Sequence, residues 1–304
     1  MPETIGFIGL GVMGDPMARN LVEAGYPLVA HSRSPEPVQA LAEAGAKVAS
    51  GPREVAERSD VVITMLPDSP AVESVVLRED GVLAGASEGD LLIDMSTIHP
   101  TVSVAVAQAA AERGVAALDA PVSGGDVGAQ QGALSIMAGG EAPDFERARP
   151  LFEVLGKTIV HVGKAGAGQV VKACNQVVVA VTIAAVSEAL VLGSKAGVEP
   201  ERILDVLGGG LAANKVMEMR RSNFLEHDFT PGFRIDLHHK DLNIALESGD
   251  AYGVPLPVTG LVQQYMRALR AKGHGGDDHS GLLQLVEELA EHRIGTERVT
   301  NPAT

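Results

Sequence analysis

Tryptophan is absent from this chain of 304 residues, and aromatic residues make up only 3% of it, so the interior has to be built from aliphatic side chains and Met. Cysteine is nearly absent too. Cys174 stands alone, which excludes an intrachain disulfide and fits a reducing compartment. Positive charge is scarce: 24 Lys and Arg against 39 Asp and Glu leave a formal net charge of −15. Such an acidic surface argues against nucleic acid or an anionic membrane as partner. It does not exclude a small anionic substrate, which responds to the local field of its pocket. The N-terminus, "MPETIGFIGLG", carries Glu3 where a signal peptide has basic residues, and glycines break its apolar run. The stretch Gly166–Leu190 is mostly apolar, but Lys172, Asn175, Gln176 and Thr182 make it too polar for a membrane span. The expectation is a soluble, cytoplasmic protein.

The length suits about two domains. From residue 4 to about 162, β-type runs alternate with helix-type runs. The β-type runs are 4–9, 27–32, 47–50, 60–67, 90–96, 115–121, 134–140 and 158–163. Amphipathic segments at 15–24, 35–44, 53–58, 100–113 and 143–155 lie between them. This alternation predicts βαβ units and a parallel sheet covered by helices. After about residue 164 the strand-like runs stop. A long helix is expected over 167–196, ended by Gly197 and Pro200, with further helices over 200–208, 213–225, 237–252, 257–271 and 279–291. The polar tail after about 294 is expected to be loose. The domains are therefore set at 1–163 and 164–304.

"GFIGLGVMG" places Gly9, Gly11 and Gly14 in a G-x-G-x-x-G spacing between a strand and a helix. Gly9 allows the tight turn, Gly11 lets a pyrophosphate approach the backbone, and Gly14 allows close helix–strand packing. Leu10, Val12 and Met13 complete the loop. The alternative, glycines that serve only a turn, is weakened by this position. At the end of the second strand an NAD site usually carries an acid for the ribose hydroxyl. Here the chain reads "HSRSPE", with Ser32, Arg33 and Ser34 and no carboxylate before Glu36. Arg33 can pair with a 2′-phosphate and the serines can donate to it, so NADP(H) is favoured over NAD(H). The alternative is that Arg33 is a solvated loop charge.

"DAPVSGG" ends a strand, where ligands of open α/β sheets bind. Its Ser123, Gly124 and Gly125 offer a hydroxyl and unobstructed N–H groups that can hold a carboxylate; a plain glycine loop is the alternative. Lys172, Asn175 and Gln176 share one face of the long helix, with Gly168 a turn earlier. An ammonium in an apolar segment is costly unless paired or functional, and a desolvated one suits proton transfer. The alternative is a lysine that snorkels to water. Cys174 falls on another side and reads as a packed small hydrophobe. His238 and His239 are adjacent and face apart, which suits surface or packing roles rather than a metal pair. No metal site is expected.

Together, "GFIGLGVMG", "DMSTIHP", "DAPVSGG", "GAGQVVKACNQ" and "KDLNIALE" resemble the β-hydroxyacid dehydrogenase family, in the family's order and across about residues 4–290. The resemblance implies an α/β Rossmann-type, doubly wound and mostly parallel sheet, followed by an all-α domain and joined to it by a long helix. It implies that Lys172 is the catalytic acid/base, that Ser123, Gly124 and Gly125 bind the substrate carboxylate, and that Asn175 orients substrate. Thr97 and Lys240 are implied to lie against the cofactor, with Leu66 and Pro67 lining its cleft. "ITMLPDSP", "GGLAANKV" and "DDHS" are more similar to the branch that reduces tartronate semialdehyde to glycerate. Gln176, where other members often have a second Asn, also looks like that branch. The missing acid near Ser32 departs from the branch members that use NAD.

Substrates of other branches stay open: 3-hydroxyisobutyrate, succinic semialdehyde and glyoxylate. An imine reductase would replace Lys172, and a catalytically silent NADP-binding module would also lack it. Val178, Val181, Ala185 and Leu192 lie near one another on the long helix, which suggests burial between subunits of a homodimer or homotetramer.

Overall fold

The computed structural model describes residues 2–295, so the polar tail beyond Gly295 lies outside the described residues. By compactness the chain divides into two units, one ending at Ala173 and one starting at Cys174.

In the first unit the order is β1 (Ile5–Ile8), α1 (Gly14–Glu23), β2 (Leu28–His31), α2 (Pro35–Glu43), β3 (Lys47–Val48), α3 (Pro52–Glu57), β4 (Val61–Thr64), α4 (Ser69–Leu77), α5 (Val82–Gly85), β5 (Leu91–Asp94) and α6 (Pro100–Ala111). It continues with β6 (Ala116–Asp119), β7 (Val122–Ser123), α7 (Gly125–Gln130), β8 (Leu134–Gly139), α8 (Ala142–Leu155), β9 (Gly156–Gly163) and the start of α9 (Ala167–Lys195). The strands run β3-β2-β1-β4-β5-β6 in parallel. β8 is antiparallel to β6 and β7, and β9 is parallel to β8. The sheet is therefore mostly parallel, with a reversed edge.

Burial on both faces explains why the strands read as continuous apolar runs. Ile5, Phe7, Leu28, Ala30, Ile63 and Ile93 face one core, with Met17, Leu21 and Phe152 from α1 and α8. Ile8, Val29, Val62 and Leu92 face the other, with Val55, Val72 and Val106. This alternation follows the two-residue period of a strand.

Three helices of this unit were not anticipated. α4 is rich in β-branched Val, which favours strands. It is set instead by its start, where the Asp68 carboxylate accepts from Ala71 N at 2.9 Å and Pro70 sits in the first turn. α5 and α7 are too short for a periodic signal.

The second unit holds the rest of α9 with α10 (Pro200–Gly208), α11 (Lys215–Met219), α12 (Arg221–Glu226), α13 (Ile235–Ala251), α14 (Pro257–Ala271) and α15 (Leu282–Leu289). The helix expected over 213–225 breaks at Arg220, and the one expected from 279 starts as a 3₁₀ turn. Ile183, Leu190, Phe224, Leu242, Met266 and Leu282 meet in one core. By length and hydropathy α9 resembles a membrane span. Its Gln169, Lys172, Gln176 and Ser187 are all buried and hydrogen-bonded inside the protein, so it is a core helix. Val178 is 64% and Leu192 74% exposed, and Ala185 is exposed, so these three are not covered by the chain's own residues, whereas Val181, expected with them, packs against the second unit's own core. Cys174 is exposed as well, not packed as expected, because it lies on the uncovered side of the helix.

Asp119, at the end of β6, fixes the start of α9. Its carboxylate accepts from Gly166 N at 2.7 Å and Gln169 N at 3.0 Å, which are unpaired donors of a helix first turn. A Cβ on Gly168 would stand 2.4 Å from the Met137 carbonyl, so only glycine lets the turn sit this close to the sheet. Burial pushes the Asp119 carboxyl up to about 6, against the opposing pull of those two N–H donors. The folded state therefore holds this proton more tightly than the unfolded chain. The stability it contributes is complete below the ordinary carboxylate value and is lost as pH rises through about 6. Asp119→Asn should remove roughly 3 kcal/mol of the loss between about pH 4 and 7. Urea midpoints compared across that range would show it, and a slope equal to wild type would contradict it.

Candidate active site

The glycine loop follows directly from β1. Gly9 has φ +101°, and a Cβ there would stand 2.3 Å from the Met65 carbonyl. A Cβ on Gly14 would stand 1.8 Å from the Gly9 carbonyl, so these two positions lock loop, strand and helix together. Gly11 differs, because a Cβ there would meet nothing within 4 Å. The chain leaves that side of the loop open, as a pyrophosphate requires. Leu10 N donates to Ser32 Oγ at 3.4 Å, which ties the loop to the end of β2. Val12 is exposed and Met13 half-buried at the mouth of α1. Arg33 is exposed and makes no hydrogen bond or ion pair among the described residues, and Ser34 precedes α2 without a side-chain capping bond. These residues fit a dinucleotide, and the basic end of β2 fits an anionic substituent on its ribose.

The next two strand ends are pinned by Asp94. Its Oδ1 accepts from Thr64 Oγ1 at 2.7 Å and from Ser96 Oγ at 2.6 Å, and Ser96 Oγ accepts from Leu66 N at 2.8 Å. Leu66 and Pro67 therefore follow β4 in a fixed bend. Gln169, fully buried, donates from Nε2 to Ser96 O at 2.8 Å and accepts from Ile98 N at 3.1 Å. That amide clamps the peptides on both sides of Thr97.

Ser123 ends β7, paired with Ser135 of β8. Gly124 and Gly125 follow with φ of +139° and +66°, and a Cβ on Gly125 would meet nothing within 4 Å. Lys172 reaches this loop. It is 6% exposed, and its Nζ donates to the carbonyl of Val122 at 2.7 Å. The ammonium does not snorkel to water; it is held one residue from Ser123. Within the first unit, the predicted loop, strand-end and lysine positions thus gather at the carboxyl ends of β1, β2, β4, β5 and β7.

The second unit links Asn175 to Lys240 through Gln176 and Asp241, by hydrogen bonds as far as Asp241 and by an ion pair beyond it. Asn175 Nδ2 donates to Gln176 Oε1 at 2.8 Å, and Gln176 Nε2 donates to Asp241 Oδ2 at 2.6 Å. Lys240 Nζ lies 3.0 Å from Asp241 Oδ1. His238 and His239 are both buried, so the packing half of that expectation applies. His239 Nδ1 faces Arg270 Nη1 at 3.0 Å, and its pKa is lowered by burial first and by Arg270 and Arg267 next. Among the described residues no group of three metal-ligating side chains occurs. Sequence reading gave Asp119, Gln169 and Asp241 no role, and gave Gln176 only a place on the face of Lys172 and Asn175. The signal of the first three was no more than an acid or amide within or beside a motif.

Residues 4–163 match the family model described as the NAD binding domain of 6-phosphogluconate dehydrogenase. Residues 166–286 match that of NADP-dependent 3-hydroxyisobutyrate dehydrogenase. The 2-hydroxy-3-oxopropionate reductase of Escherichia coli K12 is 45% identical over 95% of this chain and 99% of its own. The 2-(hydroxymethyl)glutarate dehydrogenase of Eubacterium barkeri is 40% identical over 94% of this chain and 95% of its own. A solved structure of Mycobacterium tuberculosis 3-hydroxyisobutyrate dehydrogenase with L-serine superposes with a TM-score of 0.86. It is 36% identical and covers 93% of this chain and 99% of its own. Cradle, fold and relatives together define an NAD(P)-dependent oxidoreductase acting on CH–OH groups. The chain belongs to the 3-hydroxyisobutyrate dehydrogenase family of β-hydroxyacid dehydrogenases.

Proposed function

We propose that this enzyme reduces tartronate semialdehyde to glycerate with NADPH. The observation that carries the reading is the buried Lys172 ammonium, held beside the open Ser123–Gly125 loop. The similarity to the Escherichia coli reductase supports the choice of substrate. The Ser123 hydroxyl and the N–H groups of Gly124 and Gly125 bind the substrate carboxylate. This places the aldehyde toward Lys172, and Asn175, nearly one turn further along α9, orients it. When bound, NADPH supplies the hydride to the aldehyde carbon. Lys172 donates its proton to the carbonyl oxygen, so that C=O becomes CH–OH. In the oxidative direction neutral Lys172 takes the hydroxyl proton back. Gly9, Leu10, Gly11, Val12, Met13 and Gly14 would hold the pyrophosphate, and Ser32, Arg33 and Ser34 the ribose end. Leu66, Pro67, Thr97 and Lys240 are the further residues assigned to the nucleotide. The exposed Val178, Ala185 and Leu192 fit an interface between copies of the chain in a dimer or tetramer.

Lys172→Ala should lower kcat by ~10²–10⁴-fold with the NADPH dissociation constant little changed; near-normal turnover would remove the assignment. Across a panel of small semialdehydes, tartronate semialdehyde should give the highest kcat/KM, and a higher value for methylmalonate or succinic semialdehyde would move the enzyme to another branch. The Michaelis constant for NADPH should be well below that for NADH. Arg33→Ala should shrink that gap by about tenfold, the scale of one lost charge-assisted hydrogen bond; an NADH preference in the unaltered enzyme would overturn the cofactor choice. Light scattering should give a dimer or tetramer mass, and a monomer would refute the interface.

A further inference from the structure

His238, His279, Arg220 and Asp278 form a buried polar cluster in the second unit that the chemistry above does not use. Asp278 is fully buried and its carboxylate is saturated by donors. Oδ2 accepts from Gly232 N and Phe233 N, each at 3.0 Å, and Oδ1 accepts from Ser280 N at 3.0 Å and Ser280 Oγ at 2.6 Å. Arg220 lies 3.4 Å from the same carboxylate and donates from Nε to His279 Nε2 at 3.2 Å. His279 Nδ1 lies 3.0 Å from His238 Nδ1, and His238 Nε2 lies 3.2 Å from the backbone carbonyl of Gln176. Phe233 meets both imidazoles edge-on.

Only one arrangement of hydrogens satisfies these contacts. A guanidinium is always a donor, so His279 Nε2 accepts. The neutral ring then carries its hydrogen on Nδ1 and donates to His238 Nδ1. His238 must in turn carry its hydrogen on Nε2, which donates to the Gln176 carbonyl, an acceptor only. The two adjacent rings are therefore opposite tautomers, and the chain runs one way, from Arg220 to α9.

Gln176 is held at its side chain by the same logic. Asp241 is an acceptor, so Gln176 turns Nε2 toward it and Oε1 toward Asn175, and Asn175 must present Nδ2 to Gln176. His238 and Asp241 are three residues apart on α13, so one helix face grips Gln176 by backbone and by side chain. The geometry points to Gln176, held by His238 and Asp241 with His279 and Arg220 behind them, as the positioning residue that sets the amide orientation of Asn175 for substrate. This rests on the assignment of Asn175 to substrate made above. With the amide turned this way, Asn175 Oδ1 and its second N–H face away from Gln176.

The test joins spectroscopy with kinetics on the full-length enzyme. Long-range ¹⁵N–¹H spectra of [¹⁵N]histidine-labelled enzyme near neutral pH should show one ring protonated at Nδ1, lost in His279→Gln, and a neighbour protonated at Nε2, lost in His238→Gln. Nε2 protonation of both rings, or an imidazolium at either, overturns the chain. Gln176→Met, similar in size and without an amide, should raise KM for tartronate semialdehyde about tenfold while KM for NADPH stays within about twofold, on the scale of one hydrogen bond. His238→Phe should do the same, and His238→Gln, whose amide can still donate to the carbonyl, should restore much of the loss. A fall in thermal stability with unchanged KM in Gln176→Met and His238→Phe would make the cluster purely structural and overturn the positioning role. Asn175→Ala separates the two readings: unchanged KM there removes Asn175 from substrate and, with it, the purpose assigned to Gln176, while the tautomers still judge the chain. Should Gln176→Met misfold, the KM for tartronate semialdehyde in His238→Phe and its recovery in His238→Gln decide the positioning role.

Discussion

The carboxylate of Asp119, buried where β6 ends, accepts the first-turn N–H groups of α9, and the placement of the chemistry follows from that capping. A helix start is electropositive and short of acceptors, so an acid at that spot both satisfies donors and suits the dipole. The turn so fixed carries Gln169, which clamps the peptides around Thr97, and Lys172 follows three residues later, nearly one turn along α9. The cost is visible in the raised carboxyl, since burial works against the charge that the helix start attracts.

Around that anchor the first unit uses backbone where function needs closeness and side chains where it needs direction. The loop after β1 and the loop after β7 expose N–H groups through glycines. The ends of β4 and β5 are held by the Asp94–Ser96 pair. Lys172, the charged member of this group, is aimed by the Val122 carbonyl of β7, next to the Ser123–Gly125 loop. The second unit follows a different rule. The orientations of His279, His238, Gln176 and Asn175 follow in series from ends that can only donate, as Arg220 does, or only accept, as Asp241 and the Gln176 carbonyl do, so every member must be satisfied for the set to hold.

Much of this was legible from the residues. Continuous apolar runs in β1, β4 and β5 announced a sheet covered on both faces, and the G-x-G-x-x-G spacing placed the nucleotide loop between strand and helix. What stayed hidden has physical causes. α4 is a helix despite its valines because Asp68 and Pro70 set its start, and a cap outweighs propensity in a short element. The reversed β8 pairs across chain distances that periodicity does not encode. Asp119 and Gln169 look like ordinary polar residues in the sequence, because their value lies in partners about 50 to 70 positions away in the chain. Cys174 read as core because its neighbours are apolar, yet the helix face it shares with Val178 is bare in the single chain.

The three glycines of the nucleotide loop answer to different masters. At 9 and 14 the limit is the protein's own backbone, with carbonyls 2.3 Å and 1.8 Å from where a methyl would stand. At 11 no atom of the chain comes within 4 Å, so under the proposed function only a bound dinucleotide sets a limit. A population of variants screened for folding alone would keep glycine at the first two positions and let the third drift. Only a screen that rewards turnover would preserve all three.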